Sequence, residues 1–144
     1  MKKITILFLS VLTLGLSVTS CSNDDDDNGG SIEGKWELSQ VGAVFNGQEI
    51  VQDAENGDCS NETYEFLQDG KFTETYYEAV NGKCEAEVET GTYSKSGNTL
   101  KIKYTGDTEE ESYETEVSGN KLKLKQTYSE GGMSVTAVLI YVKK

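Results

Sequence analysis

Thiols, carboxylates and phenolic hydroxyls are the groups of this sequence that could carry chemistry, with 3 Cys, 25 Asp and Glu together, and 8 Tyr in 144 residues. The sequence has no His, which removes the commonest catalytic acid and base and also the commonest metal ligand. It also lacks a Gly-x-Ser-x-Gly nucleophile elbow, a phosphate-binding glycine loop and an Asp-x-Asp-x-Asp-Gly calcium loop. An enzyme is therefore the least favoured class, and we expect no metal and no cofactor.

The carboxylates are concentrated in two segments. Glu85, Glu87 and Glu89 alternate along the first, and the second is crowded by Asp107, Glu109, Glu110, Glu111, Glu114 and Glu116. Paired carboxylates can hydrolyse glycosides or bind Ca²⁺, but a hydrolase needs two of them facing each other in a cleft. Alternation with period two is typical of the solvated face of a strand, and this is the interpretation that we favour.

Residues 1–20 have the properties of an export signal. Lys2 and Lys3 precede a nearly unbroken apolar run from Ile4 to Leu16, which is too short for a permanent membrane-spanning helix. The following Val18-Thr19-Ser20-Cys21 resembles the lipobox of bacterial lipoproteins, in which the Cys sulfur receives diacylglycerol before cleavage in front of it. The resemblance implies a mature chain that is anchored to the membrane by acyl chains on Cys21. An ordinary cleaved signal and an uncleaved anchor are the alternatives.

The segment 21–31 is predicted to be a tether. It contains the run Asp24–Asp27 followed by Asn28, Gly29 and Gly30, and such a composition cannot bury apolar surface. An acidic run after a lipidated Cys also resembles the signal that takes lipoproteins to the outer face of the outer membrane in one large group of Gram-negative bacteria. We therefore expect a lipid-anchored domain over 32–144 at the cell surface, with the periplasmic side of the outer membrane as the alternative.

The charge balance limits the partners. The net charge is −12 and the sequence contains no Arg, whereas binding to phosphates requires clustered cations. Nucleic acid is therefore excluded as an expected partner. The membrane, through the lipid on Cys21, is the expected one.

Cys59 and Cys84 are the two cysteines that remain once Cys21 is lipidated. In an oxidising envelope compartment an even pair most readily forms a disulfide, and closing a loop of roughly 25 residues restricts the unfolded chain by about 3 to 4 kcal/mol. A redox-active or metal-binding pair is the rival interpretation, but the Cys-x-x-Cys spacing and a His co-ligand are missing. We expect a structural disulfide.

From Gly34 onward the sequence alternates with period two, as in Leu100-Lys101-Ile102-Lys103-Tyr104, which predicts antiparallel strands. Hairpin turns are predicted at Asn46-Gly47, Asp69-Gly70, Asn81-Gly82, Gly97-Asn98 and Gly119-Asn120. Ten strands are predicted over 34–41, 43–51, 62–68, 71–79, 83–89, 91–96, 99–105, 110–118, 121–128 and 134–142. Since a long meander leaves two exposed edges unless it closes, we predict an all-β, up-and-down barrel of about eight to ten strands. The run 135–142 is apolar on both faces, which predicts a strand that is covered on both sides or pairs with the first strand.

The order of several short motifs resembles the lipocalin-like domains of small bacterial lipoproteins. Gly34-Lys35-Trp36 opens the series, and Cys59, Tyr64-Glu65-Phe66 and Asp69-Gly70 follow it. Cys84, Gly91-Thr92-Tyr93 and Gly97-Asn98-Thr99-Leu100 complete it. The resemblance implies a barrel whose closed end is packed by Trp36 and whose open end admits a ligand. The arginine that commonly covers this tryptophan in lipocalins is missing.

Nine aromatic residues are predicted to face the barrel interior and are the candidate ligand-binding residues: Trp36, Tyr64, Phe66, Phe72, Tyr76, Tyr93, Tyr104, Tyr113 and Tyr128. Buried Tyr hydroxyls need hydrogen-bond partners, so this interior is either internally hydrogen-bonded or wet. For these side chains we favour a filled narrow barrel over a ligand cavity. Our leading hypothesis is a non-enzymatic protein that binds a small apolar or amphipathic molecule. The alternative is a surface interaction module with a filled barrel and an exposed aromatic patch around Tyr77.

Overall fold

The computed structural model describes residues 30–144, so the predicted signal peptide, Cys21 and the acidic run lie outside the described residues. One antiparallel sheet contains the strands β1 (Gly34–Phe45), β2 (Gln48–Asp53), β3 (Thr63–Phe66), β4 (Lys71–Val80), β5 (Lys83–Ser96), β6 (Thr99–Tyr104), β7 (Glu111–Ser118), β8 (Lys121–Glu130) and β9 (Met133–Lys143). β1 pairs with both β3 and β9, which closes eight strands into a barrel and leaves β2 as an extra strand. The predicted all-β barrel is confirmed. Within the described range no helix has the length and apolarity needed to cross a membrane.

Two of the predicted strand boundaries are wrong. The strand predicted over 43–51 is interrupted by the β1–β2 turn, where Asn46 and Gly47 both adopt positive φ angles of 50° and 79°, as two-residue hairpins of type I′ require. The strands predicted over 83–89 and 91–96 are one continuous strand, β5. Gly91 is needed inside it, because an added Cβ would lie 2.1 Å from the Lys103 carbonyl oxygen and 2.6 Å from the Phe72 ring.

Apolar side chains fill one half of the barrel. They come from alternating positions of the strands, as the period-two pattern predicts, and the buried cluster consists of Ile32, Trp36, Tyr64, Phe66, Phe72, Leu100, Ile102, Tyr113, Val117, Leu122, Leu124 and Tyr141. Trp36 is fully buried, and its indole N–H donates to the Ile32 carbonyl at 2.7 Å. The Lys143 ammonium lies 5.2 Å from the centre of the Trp36 ring, so a lysine makes the cation–π contact in this arginine-free chain.

β2 folds back over the outside of the barrel. Gly42 makes this possible, because an added Cβ there would lie 2.0 Å from the Ile50 carbonyl oxygen. The Glu49 carboxylate of β2 consequently reaches Lys123 at 2.9 Å and Lys125 at 2.5 Å on β8, although β1 and β9 lie between β2 and β8 in the sheet. Val138, on the outer face of β9, is fully buried. The last strand was predicted to be covered on both sides or to pair with the first strand, and the pairing with β1 is confirmed.

The barrel wall beside β1 is incomplete because β3 has only four residues. Beyond β3, the segment 54–62 fills the space between β1 and β4. Its Asn61 side-chain amide donates to the Leu38 and Ala54 carbonyls, and the Asn56 amide donates to the Tyr77 carbonyl on β4 at 3.0 Å. The predicted disulfide between Cys59 and Cys84 is present, with 5.5 Å between the Cα atoms, and it joins this segment to β5.

Loss of the disulfide is expected to destabilise the barrel without preventing it from closing. All the described core residues lie between Ile32 and Tyr141, so residues 22–144 contain the whole core and suit this measurement. The double variant Cys59→Ser/Cys84→Ser should lose about 3 kcal/mol of unfolding free energy in urea, since the unfolded chain gains the loop entropy. The reduced wild-type protein, measured in dithiothreitol, is the control and should match the variant. An unchanged urea midpoint in the variant would contradict the structural role of this bond.

Candidate functional site: the open half of the barrel

The two ends of the barrel differ. The β3–β4, β5–β6 and β7–β8 turns lie at the closed end, where the Trp36 indole N–H donates to the Ile32 carbonyl. The β1–β2, β4–β5, β6–β7 and β8–β9 turns lie at the open end. Inner-face side chains near the open end are accessible: Tyr128 is 43% exposed, and Val135 is 46% exposed. Their register places them on the same face as the core residues Leu124 and Leu139. The interior is therefore filled at one end and open to solvent at the other.

A polar layer separates the filled core from the open half, and it consists of Glu62, Tyr64, Glu74, Tyr104 and Tyr141. The Tyr141 hydroxyl donates to Glu62 Oε1 at 2.7 Å, and the Tyr104 hydroxyl donates to Glu74 Oε2 at 2.6 Å. The Tyr64 and Tyr104 hydroxyl oxygens are 3.0 Å apart and share a hydrogen bond. The tyrosines are thus internally hydrogen-bonded, and their partners are two carboxylates inside the barrel.

Burial dominates the electrostatics of this layer. It raises the pKa of Glu74 to about 7, with a further rise from the negative charge of Glu62, and the Tyr104 hydrogen bond opposes this only in part. Burial also raises the pKa of Glu62, against the hydrogen bond from Tyr141. Within residues 30–144, no lysine forms an ion pair with either carboxylate. In this part of the chain, the polar layer therefore holds a buried carboxylate, Glu74, and a half-buried one, Glu62, without a lysine partner.

A side cavity of about 250 Å³ adjoins the polar layer at the incomplete part of the wall. Segment 54–62 contributes Asn56 and Asn61, β1 contributes Leu38 and Val41, and Glu62 links the cavity to the polar layer. The full lining is Leu38, Val41, Ala54, Glu55, Asn56, Asn61, Glu62, Tyr76 and Tyr77. Apolar, aromatic and acidic groups therefore meet in one small space.

A second opening lies in the wall between β7 and β8, where strand pairing stops at Glu114 and Lys125. The resulting cleft measures about 530 Å³ and is lined by Asp107, Glu109, Glu110, Glu111, Ser112, Glu114, Lys125, Gln126 and Thr127. Most of the carboxylates predicted to crowd one hairpin are here, and Glu110 pairs with Lys101 at 3.0 Å. In the part of the chain that the structure describes, no group of three or more side chains could hold a metal ion.

The structure places the nine aromatic candidates on the inner face, but it distributes them between core and open half. Trp36, Tyr64, Phe66, Phe72 and Tyr113 are buried, and Tyr93 and Tyr104 pack against the same core. Tyr76 lines the side cavity and Tyr128 is exposed at the open end. Tyr77 also lines the cavity and is half-buried, so it does not form the exposed patch that an interaction module would show.

The residues that the sequence analysis missed are Asn56, Asn61, Glu62 and Glu74. The inward position of Glu74 could have been predicted, because this residue lies between Phe72 and Tyr76 at the inward positions of an alternating strand. Glu87 and Glu89 also occupy inward positions, because they pair in register with Tyr76 and Glu74. The solvated face that we predicted for β5 is thus continuous with the inner face of the barrel.

The comparisons with known proteins agree with this architecture. The model of the lipocalin-like domain family matches residues 32–124. A lipocalin-like protein from Bacteroides uniformis superposes with a TM-score of 0.53 at 18% identity, over 80% of this chain and 100% of that chain. An uncharacterized protein from Bacteroides eggerthii gives a TM-score of 0.52 at 16% identity, over 79% and 100%. No curated protein sequence matches the chain.

At these identities the two crystal structures support the fold alone. The family model covers more than half of the chain and includes Trp36, both disulfide cysteines and most of the polar layer. A barrel of eight strands with one filled end and one open end is an arrangement that can hold a small ligand. The chain belongs to the lipocalin-like domain family.

Proposed function

We propose that this protein is a lipid-anchored lipoprotein of the outer membrane that binds a small apolar or amphipathic molecule in the open half of its barrel, without catalysis. One observation carries the proposal: the interior is filled as far as the polar layer and is accessible beyond it. The side cavity opens beside this boundary and combines Leu38, Val41 and Tyr76 with polar groups. Small-molecule sites typically combine apolar walls with a few placed polar groups.

The position of the open end also suits a tethered binding protein. Residues 30–33 lie at the closed end, where Ile32 is buried and accepts the Trp36 hydrogen bond. A lipid on Cys21 would therefore connect to the barrel on the side opposite the opening. The open half would remain accessible to ligands from solution, and we propose that it faces the outside of the cell.

Removal of the cysteine thiol should abolish lipid attachment. Cys21→Ser lacks the sulfur that receives diacylglycerol, so this variant should carry none of the acyl chains that anchor the protein. Cells fed labelled palmitate should label the wild-type protein and not this variant. Cys84→Ser should stay labelled and is the matched control. Digestion of the wild-type protein by protease added to intact cells would support surface exposure, whereas full protection would favour the periplasmic side.

A bound molecule should accompany the protein from its own host. We expect native mass spectrometry of residues 22–144, purified gently from the envelope, to show an added mass of a few hundred daltons that is lost on unfolding. The displacement of an apolar fluorescent probe, N-phenyl-1-naphthylamine, by the extracted molecule would place it in the barrel. A bare protein that also fails to bind this probe would contradict the proposal and favour the interaction module.

The polar layer lowers the free energy of unfolding near neutral pH, which is consistent with a role in binding. Because the pKa of Glu74 is raised from 4.5 to about 7, the folded protein keeps a proton that the unfolded chain has already lost between these values. The contribution of this proton to the free energy of unfolding is fully present below about pH 4.5 and is lost as the pH rises through about 7.

Replacing this carboxyl by an amide should remove the part of the pH dependence that belongs to Glu74. Glu74→Gln keeps an acceptor for the Tyr104 hydroxyl and cannot ionise. Its unfolding free energy relative to wild type should increase by up to about 3 kcal/mol between pH 5 and pH 8, as urea unfolding would measure. Glu65→Gln removes an exposed carboxylate from β3 and should leave the wild-type slope unchanged. A constant difference between Glu74→Gln and wild type across this range would refute the raised pKa.

A further inference from the structure

The polar groups around the side cavity are mainly acceptors. The Asn56 amide uses its N–H groups on the Ser60 and Tyr77 carbonyls, and the Asn61 amide uses its own on Leu38 and Ala54. Both side chains therefore retain only their carbonyl oxygens for a ligand. Glu55 and Glu62 add carboxylates to the same lining, so the cavity favours a ligand group that donates hydrogen bonds.

Glu62 is half-buried, and it is the acceptor of this lining that also belongs to the polar layer. The one hydrogen bond described for its carboxylate comes from Tyr141 and goes to Oε1. Carboxylates have room for about four hydrogen bonds, and a buried charge is costly unless it is paired. The neighbouring Glu74 increases this cost because it is also acidic. A cation in the cavity would therefore relieve an electrostatic penalty that the protein alone does not compensate.

The remaining walls indicate what must be attached to the cation. Leu38 and Val41 are apolar, and Tyr76 and Tyr77 present aromatic surface. The volume of about 250 Å³ lies below the range of roughly 300–1,000 Å³ that is common for drug-sized ligands. The cavity therefore fits a compact apolar body next to the charged group.

We propose that the ligand is a small amphipathic amine, whose ammonium group binds Glu62 while its apolar body lies against Leu38, Val41 and Tyr76. This inference rests on the proposed ligand-binding function and specifies its ligand class. The ammonium donates to the Glu62 carboxylate and to the side-chain oxygens of Asn56 and Asn61. Charge-assisted hydrogen bonds of this kind are about twice as strong as neutral ones.

The experiment compares three probes of nearly equal size on residues 22–144 by isothermal titration calorimetry. Phenethylamine carries the ammonium, phenethyl alcohol is neutral and hydrocinnamate is anionic. We expect the amine to bind at least tenfold more tightly than the alcohol, and the anion not to bind. Phosphoethanolamine, which has the ammonium of a lipid headgroup but no apolar body, should bind more weakly than phenethylamine. Tighter binding of phosphoethanolamine would identify a lipid headgroup as the ligand and overturn the role of the apolar walls.

Two variants locate the binding group. Glu62→Gln keeps an acceptor for Tyr141 but loses the charge, so it should weaken phenethylamine binding at least tenfold and leave phenethyl alcohol binding unchanged. Glu65→Gln removes one exposed carboxylate from the adjacent strand β3 and should bind both probes like wild type. Shifts of the Asn56 and Asn61 side-chain amide signals in NMR spectra during the amine titration would confirm the site independently of either variant.

The outcomes separate this inference from the proposed function. Equal affinity for the amine and the alcohol would overturn the amine preference while ligand binding stands. Amine binding that Glu62→Gln does not weaken would place the site elsewhere, as in the acidic cleft between β7 and β8, and would also overturn it. Failure of every probe would overturn it as well, and the proposed function would then fail only if native mass spectrometry and N-phenyl-1-naphthylamine were also negative.

Discussion

Hydrogen bonding along both edges of β1 is the constraint on which the rest of the structure depends. One edge pairs with β9 and closes the barrel, and the other pairs with β3 near the closed end and with β2 near the open end. The register with β9 shifts between Leu38 and Gln40, and such irregularities bend a strand and increase its twist. The first half of β1 can therefore place Trp36 in the core, while the second half pairs with β2 on the outside of the barrel.

The sharing of one edge of β1 between two strands also creates the side cavity. β3 ends the regular wall at Thr63, and β2 has folded over β9, so neither strand covers the space between β1 and β4. A loop with main-chain polar groups can stay there only if those groups find partners. Asn56 and Asn61 supply them, and the disulfide holds the loop against β5. The opening is thus maintained by specific side chains.

The interior shows a compromise between packing and polarity. A barrel of this size can be filled by apolar residues, yet Glu62 and Glu74 occupy inward positions beside Tyr64, Tyr104 and Tyr141. These carboxylates lower the stability of the folded state near neutral pH, and apolar residues of similar size would not. Residues that oppose stability at an accessible cavity are consistent with the proposed ligand site.

Local patterns in the sequence determined the strands, the turns and the aromatic inner face, because alternation with period two and positive-φ dipeptides act over a few residues. The cysteine pairing was predicted instead from the cysteine count, since only Cys59 and Cys84 are left if Cys21 is lipidated. Asn46-Gly47 marked a turn even where the strand boundary beside it was misplaced. Only the tertiary structure decided that β2 leaves the barrel wall, that segment 54–62 fills the gap beside β4, and that Glu62 meets Glu74. These features depend on the close approach of β2 to Gly42 and on the short pairing of β3. The resulting contacts, such as those of Glu49 with Lys123 and of Glu62 with Tyr141, join positions far apart in the chain, and no local pattern encodes them.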